Sequence, residues 1–191
     1  MRLEDGSRVR DHRPAVFVFN HQSQLDALVI AWVLRRDFTA VVKQEARRYP
    51  IFGYLMDFIG VLFIDRAKPA AAIETLRPAV DLLRSGVAVA VAPEGQVSPT
   101  ASLRAFKKGA FHLAIQAGVP IVPVVIRNAG AVLWRSSALV DPGEITVTLL
   151  PPIDTRDWRV DSIDEHVRRV RAIFERELAD SAPPNGTAHD A

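Results

Sequence analysis

The 191-residue sequence predicts an α/β fold, a single domain with a mostly parallel or mixed central sheet flanked by helices. Three observations carry that expectation. Short apolar runs rich in β-branched and aromatic residues recur along the chain. Stretches with a helical apolar period separate them, as strands joined by crossover helices require. Glycines such as Gly60, Gly86 and Gly118 stand where one kind of stretch gives way to the next.

In order, residues 1–13 read as an irregular leader of mixed charge, and residues 15–20 as a buried strand rich in Val and Phe. Ser23 is placed as the N-cap of a helix running to about Arg36, with Leu25, Leu28, Val29, Trp32 and Val33 on one face. A second strand spans 38–43. Residues 51–58 form a short apolar helix, and 61–65 a third strand with Arg66 beside it. The amphipathic pattern over 69–84 is a helix closed by Gly86. Residues 87–92 are continuously apolar, the mark of an interior strand, and Pro93-Glu94-Gly95 breaks them sharply. After a loop over 96–105 come a helix over 106–117, strands over 121–126 and 144–150, and a last amphipathic helix over 161–178. The domain divides as leader 1–14, folded body 15–180 and disordered tail 181–191.

Apolar residues make up 49% of the chain and charged residues 24%, an ordinary globular balance. Cysteine is absent, which excludes disulfides, thiolate nucleophiles and thiolate metal sites. The five histidines are scattered, so no metal site is expected. The first fourteen residues are polar and predict no signal peptide, and the near-apolar stretch 51–64, broken by Gly53, Asp57 and Gly60, is too short to span a bilayer. Residues 35–135 carry fourteen Lys/Arg against seven Asp/Glu, whereas residues 136–191 carry six against eleven. The basic middle suits an anionic partner: a phosphorylated small molecule, a membrane surface or nucleic acid. Few aromatic residues are interleaved with those cations, which counts against nucleic acid.

Three stretches carry candidate chemistry. His21 and Asp26 sit between a strand and a helix, where a base and its orienting acid can meet at a sheet edge. On a regular helix, residues five apart lie roughly 140° apart round the axis, so the pair can meet only if His21 precedes the helix. On spacing alone, a strand-ending histidine and a helix-start carboxylate favoured by the dipole account for the pair better, since a histidine and an aspartate this close often occur by chance. At Ala92-Pro93-Glu94-Gly95, Gly95 lets backbone amides approach an oxyanion or phosphate, and Glu94 can accept from ligand hydroxyls, although an ordinary turn explains the break too. Arg104 and Lys107 stand at a helix opening, where cations oppose the dipole unless an anion binds. A solvated basic patch is the plainer alternative. Lys43 at a strand end is a further phosphate candidate, or else an edge lysine that discourages aggregation. No dinucleotide fingerprint, P-loop or Gly-x-Ser-x-Gly elbow is present. Ser23 reads as structural, so any catalysis passes through a base acting on a bound hydroxyl, without an acyl-enzyme.

The order of these pieces resembles the glycerolipid acyltransferase family, the 1-acylglycerol-3-phosphate and lysophospholipid acyltransferases. Asn20-His21-Gln22-Ser23-Gln24-Leu25-Asp26 is similar to the family's H-x-x-x-x-D motif. Lys43-Gln44-Glu45, Pro50, Gly53, Gly60 and Phe63-Ile64-Asp65-Arg66 resemble its second block, Ala92-Pro93-Glu94-Gly95 its third, and Val119-Pro120-Ile121-Val122-Pro123-Val124 its fourth. Phe106-Lys107-Lys108-Gly109-Ala110 matches the stretch between them.

The resemblance implies a glycerol-phosphate acyltransferase-like fold and transfer of an acyl group from acyl-CoA or acyl carrier protein to a lysophosphatidate or other lysoglycerophospholipid. No cofactor is implied. His21 would be the general base, Asp26 its partner, and Lys43, Arg66, Glu94 and Gly95 would line the acceptor site. A cytoplasmic protein, peripheral on the inner face of the membrane, is expected, without the N-terminal membrane helices common in the family. Where the family's third block carries Thr-Arg-Ser, this chain has Gln96-Val97-Ser98. Valine cannot hold a phosphate. Either Arg104, Lys107 or Lys43 takes over that task, or the acceptor bears a different head group. A non-catalytic lipid-binding domain and an acyl-CoA thioesterase are the alternative functions.

Overall fold

The computed structural model describes residues 1–4, 12–43, 61–64, 74–100, 102–134 and 139–179. Along them run strand β1 (Arg2–Glu4), strand β2 (Val16–Phe19), helix α1 (Asp26–Leu34), strand β3 (Phe38–Lys43) and strand β4 (Leu62–Ile64). A 3-10 turn, Glu74–Leu76, leads into helix α2 (Arg77–Arg84), followed by strand β5 (Ala88–Val91), helix α3 (Gly109–Ala117) and strand β6 (Ile121–Arg127). Short helix α4 (Ala129–Val132), strand β7 (Thr146–Leu149), a 3-10 turn Val160–Ser162 and helix α5 (Ile163–Ala179) complete the order. The described strands form one sheet in the order β1-β7-β6-β2-β5-β3-β4. From β6 to β4 neighbouring strands are parallel, β7 is antiparallel to β6, and β1 is parallel to β7. The expected α/β fold is therefore present in its mixed form.

Strand periodicity builds the two cores. Successive strand side chains point to opposite faces. Val16 and Val18 accordingly join the cluster under α2, α3 and α5, while Phe17 and Phe19 join the one under α1 and α4. Strand β5 divides in the same way, with Val89 and Val91 on the first face and Ala88 and Ala90 on the second. Strand β2, buried along its whole length, lies at the middle of the sheet with β5 beside it. Continuous apolar runs of this kind are what a strand covered on both faces needs.

Several expectations change in detail. The supposed leader contributes β1, whose residues pair with Thr146, Val147 and Thr148. Ser23 is not the N-cap of α1: the helix starts at Asp26, Leu25 stands in the cap position, and no side chain caps it. Buried Ser23 instead donates its hydroxyl to the Leu133 carbonyl at 2.7 Å. Of the amphipathic stretch before Gly86, Glu74–Leu76 form a 3-10 turn and Arg77–Arg84 an α-helix, while residues 69–73 lie outside the described residues. Helix α3 starts at Gly109 and ends at Gly118, whose φ of +69° suits a residue without a side chain. Helix α4 had no counterpart in the sequence reading. The helix expected over 51–58 and the tail 181–191 lie outside the described residues.

Register sets up the site. Val18 lies opposite Val91, and Phe19 opposite Val124, so the segments following β2 and β5 leave the sheet side by side at its carboxyl edge. Asn20 secures that exit. Its side-chain amide, fully buried, donates to the Ile126 carbonyl at 2.7 Å and accepts from the Ile126 N–H at 2.8 Å, continuing the ladder with a side chain. Asn20→Ala leaves both Ile126 groups unpaired and is expected to cost about 2–4 kcal/mol of unfolding free energy, read from urea midpoints. A loss below about 0.5 kcal/mol contradicts that role.

Candidate active site

His21 leaves β2 one residue beyond Asn20 and is held on three sides. Its N–H donates to Glu94 Oε1 at 2.7 Å, its carbonyl accepts from the Ser98 N–H at 2.7 Å, and its ring Nδ1 lies 2.9 Å from Asp26 Oδ2. The same carboxylate oxygen accepts the Gln22 and Ser23 N–H groups, each at 2.8 Å. Asp26 can do this because it opens α1, where its charge is favoured by the helix dipole. The loop before it curls back over the carboxylate. This is how residues five apart meet although a regular helix would separate them: His21 belongs to the loop and only Asp26 to the helix. The Asp26 side chain is 1% exposed and that of His21 21%, so the acid is sealed while the imidazole reaches the surface. Asp26 Oδ1, also buried, has no hydrogen-bond partner among the described residues. With Nδ1–H on the carboxylate, Nε2 is the basic nitrogen, the arrangement used to take a proton from a hydroxyl.

Glu94 ties this loop to the next. It follows β5, is 1% exposed, and its two oxygens accept the His21 N–H and the Arg104 N–H, the second at 2.9 Å. Both of its oxygens therefore hold main chain, which makes Glu94 a positioning group between two loops. Burial pushes its carboxyl above the usual carboxylate range, opposed by those two N–H donations and by His21. Gly95 has φ of +76°, a conformation that favours glycine, and its N–H donates back to the Ala92 carbonyl at 3.0 Å. The loop is also held from outside: Arg171 on α5 donates to the carbonyls of Leu103 and Arg104 at 3.2 and 3.3 Å.

Beside Glu94 opens a pocket of about 370 Å³ lined by Glu94, Gln96, Arg104, Ala105, Phe106 and Lys107. Two expected cation positions therefore meet in one cavity, and Glu94 joins that cavity to the His21 loop. Lys43 closes β3, which is parallel to β5, so its backbone lies at the same sheet edge, while its side chain is outside the described residues. Arg66 lies outside them altogether. Sequence reasoning missed the pairing of Asn20 with Ile126 and the Ser98–His21 bond. A polar residue directly after a buried strand was the available signal for the first. The second, between main-chain atoms far apart in sequence, left none.

The profile of the Acyltransferase family matches residues 1–127 of this chain. The chain belongs to that family. A 1-acyl-sn-glycerol-3-phosphate acyltransferase of Limnanthes alba is 36% identical over 176 residues, 92% of this chain and 63% of that protein. A protein of the same name from Saccharomyces cerevisiae is 35% identical over 162 residues, 83% of this chain and 54% of its own length. One from Salmonella typhimurium is 32% identical over 167 residues, 87% of this chain and 67% of its length. The chain thus spans under two thirds of the Limnanthes and yeast relatives. The crystal structure of a 1-acyl-sn-glycerophosphate acyltransferase from Thermotoga maritima, 22% identical, superposes with a TM-score of 0.77 over 96% of this chain and 72% of that one, so the fold is shared. The resemblance drawn from the ordered motifs holds at the level of the family.

The Glu94 bridge makes a testable demand on stability. A carboxyl whose pKa is raised by folding takes up a proton as the chain folds. Its favourable contribution is full below its ordinary value near 4.5 and fades as pH rises through the folded value. Glu94→Gln removes that slope and leaves one backbone N–H unpaired. The variant is expected to be less stable by about 1–3 kcal/mol near pH 4, with a deficit that narrows towards about pH 8, in denaturant titrations. A deficit that widens with pH contradicts the assignment.

Proposed function

We propose that this chain carries the catalytic domain of a 1-acyl-sn-glycerol-3-phosphate O-acyltransferase that takes its acyl group from acyl-CoA and works at the cytoplasmic face of a membrane. The observation that carries the reading is His21: its Nδ1 is held by a sealed carboxylate while its ring stays accessible at the carboxyl edge of the sheet. Family membership and the names of the relatives support the reaction class.

In this mechanism Nε2 of His21 removes the proton from the acceptor hydroxyl as its oxygen attacks the thioester carbonyl carbon. Asp26 stabilises the resulting imidazolium and fixes its orientation. The tetrahedral intermediate collapses by breaking the carbon–sulfur bond. The departing thiolate takes the proton from His21, so an ester and a free CoA thiol leave a regenerated base. No residue is acylated. Arg104 and Lys107, lining the pocket beside Glu94, supply positive charge for the acceptor phosphate at a site where Val97 cannot.

His21→Ala is expected to lower transfer from labelled acyl-CoA to lysophosphatidate by about 10³-fold or more while leaving the urea midpoint near that of the wild type. Wild-type-like turnover sinks the role of the base. CoA release at equal rates with and without lysolipid points instead to a thioesterase, and vesicle binding without any diacyl product points to a non-catalytic lipid-binding domain. Arg104→Ala and Lys107→Ala should each raise the KM for lysophosphatidate by about tenfold with little change in kcat. A panel of lysolipids tests the Val97 substitution: if both variants leave the KM for lysophosphatidate unchanged, another group binds the head.

A further inference from the structure

Helix α1 differs from the other surface helices in what it shows to solvent. The outward positions of α5 are Asp164, Glu165, Arg168, Arg169, Glu175 and Arg176, interrupted only by alanine, and those of α2 include Arg77, Asp81 and Arg84. This is the usual pattern of an apolar stripe inside and charge outside. Between Asp26 and Arg35, α1 carries no charged or polar side chain at all, and Asp26 itself is buried. Its inner face is complete with Val29, Ile30, Val33 and Leu34. Leu28 and Trp32 nevertheless remain on the outside, 45% and 38% exposed. Four residues apart, they form one stripe.

That stripe has a defined surrounding. Arg35 and Arg36, both exposed, follow the helix directly, and Arg35 ends it with φ of +63°. The next residue, Asp37, is ion-paired with Arg13 at 3.6 Å, which leaves Arg35 and Arg36 to set the charge at this end. Helix α4 covers the same face of the sheet as α1, and past its end lies Trp134, 39% exposed. The Trp134 ring and the Gln22 carbonyl both pack against Gly130, so this second indole borders the His21 loop. Tryptophans and arginines beside an apolar helix face are the residues that settle at a lipid–water boundary: indoles at the head groups, guanidiniums on the phosphates, aliphatic groups in the acyl region. The outward face of α1 offers one hydrogen-bonding group, the Trp32 indole N–H, little with which a protein partner could fix its register. No described helix is long and apolar enough to cross a membrane.

We infer that the outward face of α1, with Leu28 and Trp32 between Trp134 and the Arg35–Arg36 pair, is the surface by which the domain lies on an anionic lipid bilayer, with the His21 loop at the membrane plane. The inference deepens the acyltransferase reading and rests on it only for what the orientation achieves: a base at the lipid surface meets an acceptor whose acyl chain stays in the bilayer.

The test compares the full chain with Leu28→Glu/Trp32→Glu and, as a milder second variant, Leu28→Gln/Trp32→Gln. Both sites are exposed, and circular dichroism confirms that the variants fold. Wild type is expected to co-sediment with phosphatidylglycerol/phosphatidylcholine vesicles, less with pure phosphatidylcholine, and to show a blue-shifted tryptophan emission from its exposed indoles. The Glu variant should partition at least about tenfold less. Turnover on a short-chain, monomeric lysolipid should stay within about twofold of the wild type. Equal partitioning of variant and wild type overturns the inference. So does a concentration-dependent dimer that the variants abolish without any vesicle binding, since a second copy then covers the face. Loss of vesicle binding in the variants together with no acyl transfer by any form supports the surface and refutes the acyltransferase reading, so the two failures are distinguishable.

Discussion

A single carboxylate oxygen organises the edge of this domain. Asp26 Oδ2 receives the ring N–H of His21 and the main-chain N–H groups of Gln22 and Ser23 within one short loop. Two of these donations shape the loop, and the third orients the imidazole. The bend that brings the histidine over the helix start is therefore made by the same atom that fixes its tautomer. Hydrogen bonds to a charged acceptor are individually stronger than neutral ones, and sealing the acceptor from water strengthens them further. A neutral replacement at position 26 would lose the loop and the ring orientation together.

A second carboxylate works across the sheet edge. Glu94 couples the loop after β2 to the loop after β5 by taking one N–H from each, while Arg171 clamps the second loop from α5. Parallel strands in register put the two loops side by side, and the buried bridge then converts proximity into fixed geometry. The pocket that gathers Arg104 and Lys107 is built on the far side of that bridge. Base and cations are thus positioned by one hydrogen-bonded unit. Its acids face main-chain amides and the imidazole, and Arg104 and Lys107 line the adjoining pocket.

The physical reach of each interaction explains how much of this was legible. Strands announce themselves by composition, because a strand covered on both faces must be apolar throughout: β3 coincides with the run over 38–43, and β2, β5 and β6 fall within a residue or two of their apolar runs. The mixed order of the sheet was not readable, since β1 and β7 are short and carry no signal of direction. For His21 and Asp26, helical periodicity argued against contact unless His21 preceded the helix, and their place between a strand and a helix and the ordered family motifs argued for it. The outcome turned on where the helix begins, a boundary set by the carboxylate itself. Ser23 has good capping chemistry, but its hydroxyl found a stronger use on the Leu133 carbonyl, 110 residues away. The tasks of Asn20 and Glu94 depend on partners 106 and 73 residues distant, which no local pattern encodes.

The central claim is that Asp26 holds His21 in the form whose Nε2 is free to act as a base. A long-range ¹H–¹⁵N correlation spectrum of the neutral imidazole tests it without substrate. The account predicts that the His21 proton resides on Nδ1 with Nε2 unprotonated, against the preference of free imidazole side chains. A His21 ring protonated on Nε2, with Nδ1 bare beside the carboxylate, would contradict it.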